Sequence, residues 1–289
     1  MRKALDNVRQ QMPKLVKASL SDLLKNKTGR RRRRFLDGWH QYWKEGLKDG
    51  HSRIECMQKL ELHPVEKLAG KADRAIQFRT VAFNAALSQF LKPVEHYLFA
   101  GTSYQGGRWC AKGLTTTQRA LLLLDHSHAF KDPIFVLADH KTFDAHFNKR
   151  LIRECHRFYK KLWNYEVELC RLLECQVNNR GRTTGGIRYR VKGTRMSGDV
   201  DTALGNSIGN FGMLAAWLGN EDARIMLDGD DSVIVMERST LSRLPDMADF
   251  MLNFGMRTIF EVTDKISEAE FCQARIVMGP TGPYYCGNP

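Results

Sequence analysis

The chain has 289 residues, 43% of them hydrophobic, enough to bury a sizeable core in one large domain or two small ones. A net charge of +13 and a pI near 9.5 favour a polyanionic partner, nucleic acid first and an acidic membrane surface second. No apolar run reaches the ~20 residues of a bilayer span. Met1-Arg2-Lys3 lacks the apolar core of a secretory signal. The seven cysteines show neither Cys-x-x-Cys nor zinc spacing, so unpaired core thiols in a reducing compartment are expected. The chain is therefore expected to be soluble, with any membrane anchor on a longer parent protein.

In chain order, residues 1–34 are basic and polar and end in five consecutive arginines, Arg30–Arg34. They read equally as a solvated arm and as an RNA-binding arm. Trp39, Tyr42 and Trp43 fall at helical spacing and are expected in a core. Ala75–Phe78 is extended in character. Val81–Leu98 reads as a helix broken at Pro93, and Gly101–Gly113 as a glycine-rich loop. Thr115 or Thr116 can cap a helix running to about His128. Ile134–Ala138 reads as a short buried strand, and Ala145 to Leu173 as one long helix. Asn178–Gly186 reads as a polar turn, Ile187–Lys192 as a strand, and Asn206–Leu218 as an apolar helix. Thr240–Phe254 is an amphipathic helix, Thr258–Val262 and Phe271–Val277 are strands, and Gly279–Pro289 is turn-rich.

Chemistry concentrates at Leu227-Asp228-Gly229-Asp230-Asp231-Ser232. Two adjacent carboxylates sit at a Gly turn between short apolar runs, which predicts a tight hairpin with acids at its tip. Bare neighbouring carboxylates repel, and a pair of divalent cations would resolve the repulsion, as in two-metal phosphoryl and nucleotidyl transfer. Asp139, at the end of the apolar strand, can reach the same cleft and share Mg²⁺ with Asp230, with Asp231 nearby. The plainer alternative makes Asp139 a loop acid and Asp144 a helix cap. In Ser197-Gly198-Asp199-Val200-Asp201-Thr202-Ala203-Leu204-Gly205-Asn206, the glycines allow close backbone approach. Thr202 and Asn206 share a helix face that can read a ribose hydroxyl, while Ser197 can equally be a cap. Lys71, Arg74 and Arg79 can clamp a triphosphate, or simply form a solvated charged face.

Together these segments resemble the RNA-dependent RNA polymerases of positive-strand RNA viruses. Motifs A, B and C of that family match Asp139–Asp144, Ser197–Asn206 and Gly229–Asp231 in order. Shorter matches resemble the tombusvirus-like group: Arg74-Ala75-Ile76-Gln77-Phe78-Arg79, Lys92-Pro93-Val94-Glu95-His96, Lys112-Gly113-Leu114 with Gln118-Arg119, Phe143-Asp144-Ala145-His146, and Glu270-Phe271-Cys272-Gln273. The resemblance covers roughly residues 53–280. It implies an α+β right-hand polymerase with an antiparallel palm sheet backed by helices, helical fingers and a thumb largely missing. Residues 1–52 would be a basic arm with fingers-associated helices, 53–133 fingers, 134–278 palm with a fingers insertion at about 160–190, and 279–289 the start of a truncated thumb.

By the same resemblance, Asp139, Asp230 and Asp231 would be catalytic and bind two Mg²⁺ ions, with Mn²⁺ able to substitute. Lys71, Arg74 and Arg79 would bind the triphosphate, and Asp144, Ser197, Thr202 and Asn206 the ribose. Gly198 would let the template pass, and Gln273 and Arg275 would help position the primer end. Implied partners are an RNA template with its primer or product strand, nucleoside triphosphates and further viral replication proteins. The implied location is the host cytoplasm, at membrane-associated replication complexes. A departure is that no lysine lies between Asp231 and Lys265. Arg257, nearest the expected general acid, is a poor proton donor. A reverse transcriptase would carry a bulky gate at Asp144 and a Tyr-x-Asp-Asp hairpin. A catalytically incomplete fragment acting as a basic RNA-binding factor would share the charge but give no reason for the ordered acids.

Overall fold

The computed structural model describes residues 1–59, 74–280 and 282–287. Helices α1 (Arg2–Gln10), α2 (Leu20–Leu24) and α3 (Gly29–Glu45) come first. The N-terminal segment is thus folded rather than a loose arm: Leu5, Val8, Leu23 and Leu24 are buried. Arg30–Arg34 start α3 and stay exposed, while Phe35 and Tyr42 turn inward. The aromatic expectation holds for Tyr42 and fails for Trp43, which is 59% exposed.

Strands β1 (Ile54–Gln58) and β2 (Ala75–Phe78) precede α4 (Val81–Gly101). Pro93 lies inside α4 without breaking it. Phe90, Leu91 and Val94 around it are buried, and that packing outweighs the lost backbone hydrogen bond. The loop predicted next contains a small hairpin, β3 (Ser103–Tyr104) and β4 (Gly107–Arg108). Helix α5 (Thr116–His128) begins with Thr115 and Gln118 in a reciprocal capping box.

After β5 (Pro133–His140), the single long helix expected is three: α6 (Phe143–His146), α7 (Lys149–Leu162) and α8 (Val167–Glu174). Asn148 caps α7, its side chain accepting from the amides of Arg150 and Leu151. Asn164 and Tyr165, both at positive φ, end it. The segment read as a polar turn holds a strand, β6 (Asn178–Thr183), which pairs with β7 (Arg188–Lys192). Then follow α9 (Thr202–Leu218), β8 (Ala223–Asp228), β9 (Asp231–Glu237), α10 (Arg238–Leu241), α11 (Met247–Leu252), β10 (Thr258–Thr263), β11 (Ala274–Gly279) and β12 (Gly282–Gly287). The helix expected over Thr240–Phe254 is split between α10 and α11, with Pro245 between them. Within the tail read as turns, residues 282–287 form β12, which returns along β11 and packs on α5.

The central sheet runs β10-β5-β9-β8 and is antiparallel throughout. Its alternation is two-sided. Ile134, Val136, Ile225, Leu227, Ile234 and Met236 join the large core with α4, α7 and α9. Phe135, Met226, Val233 and Val235 join a second core with α5 and the β11–β12 hairpin. A sheet buried on both faces holds its strand ends rigidly, and the acids sit at one such end. A second sheet, β2-β1-β6-β7, is mixed, because β1 and β6 run parallel. The mixed helix-and-sheet class agrees with expectation. All seven cysteines are free, and no helix among the described residues is long and apolar enough to cross a membrane.

Candidate active site

The β8–β9 register pairs Asp228 with Asp231, leaving Gly229 and Asp230 as the turn. Gly229 has φ +73°, the left-handed conformation that favours glycine in such two-residue turns. The turn is anchored from α9. The Gly229 amide donates to Ser207 Oγ at 3.2 Å. The Asn210 amide nitrogen donates to the carbonyls of Gly229 (3.2 Å) and Asp230 (2.9 Å). Asn210 Oδ1 is then left facing His140 Nε2 at 3.1 Å, and His140 Nδ1 meets Thr258 Oγ1 at 2.8 Å. Burial pushes the His140 pKa down, so the neutral ring carries its proton on Nε2 and accepts at Nδ1. Sequence reading did not single out Ser207 or Asn210. Their signal was there: polar side chains inside an otherwise apolar helix.

Asp139 lies next to the end of β5, one residue past the Ala138–Ser232 pair with β9. That position places it beside Asp231. Burial raises the Asp230 pKa, and the Asp144 and Asp139 charges raise it further, partly offset by its own backbone amide and by Arg74. Asp231 keeps an exposed side, yet the protein around it, then Asp230 and Asp139, push it up to about 6. Asp139, Asp144, Asp230 and Asp231 therefore share one electrostatic neighbourhood with more negative charge than the described residues compensate. Hard carboxylate oxygens with unrelieved repulsion fit Mg²⁺. Among the described residues no three His, Cys, Asp or Glu side chains close into a ready cage.

Asn206 donates from Nδ2 to Asp144 Oδ1 at 2.8 Å, joining the two residues expected to read the ribose. Thr202 does not join them. Its hydroxyl, 2.8 Å from the Met196 carbonyl and 2.9 Å from that of Asp199, closes the turn before α9. Ser197 is not the cap of α9, whose N-cap is Asp201. Its Oγ instead accepts from the Gln77 amide at 3.2 Å and straps the loop to β2. A Cβ on Gly198 would lie 2.7 Å from Phe78 Cβ and 2.8 Å from the Gln77 carbonyl, so close approach to β2 already demands glycine there.

The triphosphate expectation divides. Lys71 lies outside the described residues. Arg74 bears on Asp230 and so stands toward the acids. Arg79 does not reach the cleft and is corrected to a structural role. Its guanidinium, 0% exposed, pairs with Asp199 at 2.9 Å, donates to the Ser52 and Cys175 carbonyls, and bonds Asn179. Gln176 Nε2 donates to both Asp199 and Asp201, and Arg195 pairs with Asp201 at 2.8 Å. Burial and the Asp201 charge push Asp199 up to about 6 against the pull of Arg79. Burial also opposes ionisation of Asp201, but Arg195 and its other partners hold it below the ordinary carboxylate range. Arg195 Nε in turn donates to Asn206 Oδ1 at 3.2 Å, so this network orients the Asp144–Asn206 pair from beneath.

On the far side, Gln273 is exposed, and Arg275 pairs with Glu270 at 3.3 Å. Their neighbour Cys272 stands near Asp231 and draws its pKa down against the larger upward pushes. Asp228, below the turn, is clamped by Lys112 at 3.0 Å and by Arg119. Lys112 and Arg119 entered the sequence reading only as family matches. Their partner lies more than a hundred residues away.

The family described as viral RNA dependent RNA polymerase matches residues 1–289. The chain is 29% identical over 279 residues to the RNA-directed RNA polymerase of Tobacco necrosis virus (strain D), covering 92% of this chain and 38% of that protein. It is 31% identical over 243 residues to the enzyme of the same name from Maize chlorotic mottle virus (isolate United States/Kansas/1987), covering 80% and 25%. With the RNA-directed RNA polymerase of Tomato bushy stunt virus (strain Cherry) it shares 31% over 215 residues, 71% of this chain and 26% of that protein. The chain thus spans about a quarter to two fifths of the length of these relatives. With the motif order and the acid-tipped hairpin, these matches place the chain in the viral RNA-dependent RNA polymerase family.

Proposed function

We propose that this chain is the catalytic portion of an RNA-directed RNA polymerase that replicates a positive-strand viral RNA genome by two-metal nucleotidyl transfer. The observation that carries the reading is the cluster of under-compensated acids beside the anchored hairpin, with the Asp144–Asn206 pair at its side. In this reading the β10-β5-β9-β8 sheet and its helices are the palm, and the β2-β1-β6-β7 sheet with α3 and α4 belongs to the fingers. Asp139, Asp230 and Asp231 would hold two Mg²⁺ ions, or Mn²⁺ in their place. When bound, these lower the pKa of the primer 3′-hydroxyl and neutralise triphosphate oxygens.

The chain's own groups do the positioning. Arg74, with Lys71, binds the triphosphate and balances charge on the departing pyrophosphate. Asp144 and Asn206 hold the ribose 2′-hydroxyl, and the Asn210–His140 relay keeps the turn from shifting. The partners are RNA template, primer or product strand, nucleoside triphosphates and further viral replication proteins. The setting is membrane-associated replication complexes in the host cytoplasm, reached through other segments or proteins. The test is labelled-nucleotide incorporation on a primed RNA template with Mg²⁺. Wild-type incorporation with loss of at least about 10³-fold in Asp139→Ala and Asp230→Ala supports the reading. Near-wild-type activity in either variant, with RNA bound, rejects the metal-ligand assignment.

A further inference from the structure

The hairpin of β6 and β7 carries an arrangement that its own folding does not explain. Its register sets Arg180 opposite Arg190 and Arg182 opposite Arg188, with Lys192 opposite Asn178. Residues opposed in an antiparallel pair share a face, so all five cations project from one side of the sheet. Each is exposed or nearly so. None makes an ion pair or a side-chain hydrogen bond among the described residues. The acid in register on the same face is Glu55 of β1, beside Arg182. Like charges directly opposed across a strand pair destabilise it. Two such pairs in a row are a stability cost that a bound polyanion would remove.

The run Arg30–Arg34 makes a useful contrast. Consecutive helical residues point in different directions, and Arg32 is tied to the Leu24 carbonyl at 3.3 Å. The hairpin instead forms a two-column ladder with a rise of about 7 Å between rungs, close to the spacing of neighbouring phosphates along an extended single strand. The ladder's position matters as well. The Ser197–Gly198 loop is bonded to β2, the outermost described strand on that side, through the Gly198 amide and the Gln77 carbonyl at 2.7 Å. From that edge the sheet runs outward through β1 to β6 and β7. The ladder therefore lies roughly 10–15 Å from β2, on the sheet whose other edge borders the nucleotide site.

We infer that Arg180, Arg182, Arg188, Arg190 and Lys192 form a docking ladder for the phosphodiester backbone of a single RNA strand outside the catalytic cleft. This deepens the polymerase reading and rests on it for the identity of the strand. The ladder makes no base contacts, so its recognition is independent of sequence and sensitive to salt.

The test is fluorescence anisotropy of a labelled single-stranded RNA against the full chain over a series of salt concentrations. The comparison is with the Arg180→Gln, Arg182→Gln, Arg188→Gln, Arg190→Gln combination. The variant should bind about tenfold or more weakly. The slope of log affinity against log salt should shrink by about 0.7 for each phosphate that is no longer neutralised. Its melting temperature should hold or rise, and the all-lysine version should restore most of the slope. Incorporation by the glutamine variant should show a raised KM for RNA at an unchanged kcat. An unchanged affinity and slope in the folded variant overturns the ladder. So does a loss confined to binding of vesicles containing acidic phospholipid, which would make the face a membrane-binding one. A wild-type chain that binds RNA through the ladder but incorporates nothing rejects the polymerase reading and leaves the ladder standing.

Discussion

In the interior, Asp199 and Asp201 lie beside two guanidiniums, Arg79 and Arg195, every one of these side chains 3% exposed or less. At the end of the central sheet, Asp139, Asp144, Asp230 and Asp231 lie near one another, and among the described residues Arg74 is the cation that bears on Asp230. The first cluster is neutralised and hydrogen-bonded by the protein itself, as burial demands. The second is left short of positive charge, on a turn held by three side-chain hydrogen bonds. The difference separates acids that hold the fold from acids that the proposed reading assigns to metal.

Breaking the interior cluster should give the largest effect on stability. Arg79→Ala leaves Asp199 buried without its partner and should cost about 3–5 kcal/mol, read by denaturant unfolding. A loss below about 1 kcal/mol would show that the network is not the structural one. The Asp144–Asn206 pair, proposed to read the ribose, bonds to Arg195 of the interior cluster, and its loss should have a smaller effect. Asp144→Ala or Asn206→Ala should reduce the preference for ribonucleotides over deoxyribonucleotides by about 10–100-fold, measured as a ratio of kcat/KM values. An unchanged ratio would remove both residues from sugar recognition.

The smallest effect should come from acid. His156 Nε2 meets Gln176 Oε1 at 3.1 Å within the interior network, and burial drives its pKa down to about 3. A histidine whose folded pKa is depressed favours the native state above its unfolded pKa of about 6.5. That contribution is lost as pH falls toward the folded value. Stability should therefore fall by about 1–2 kcal/mol between pH 6.5 and 5 on this account. His156→Gln, neutral throughout, should flatten that slope. An identical slope in the variant would assign the acid sensitivity elsewhere.

The hairpin was legible because its signals are local: flanking apolar runs, and one glycine and three acids within the six residues 227–232. The capping box of α5 and the strands β2, β5, β7 and β10 were legible for the same reason. Arg79 was not. In a stretch with Lys71 and Arg74 it looks like any solvated cation, and its partner Asp199 is 120 residues away. β6 was missed because its inward face carries Asn179, Gly181 and Thr183 where apolar residues would mark a strand. Pro93 and the divided helix after β5 show the reverse fault. There, local propensity and periodicity were read correctly, and tertiary packing or two left-handed residues decided otherwise.

The most direct measurement is nucleotide incorporation on a primed RNA template with Mg²⁺ by Asp230→Asn beside wild type. The substitution keeps the side chain's size and the backbone hydrogen bonds of the turn while removing one charge from the under-compensated cluster. The account predicts a folded protein that binds RNA as the wild type does and incorporates nothing measurable. Incorporation within tenfold of wild type would contradict the claim that these acids are left unneutralised for catalysis.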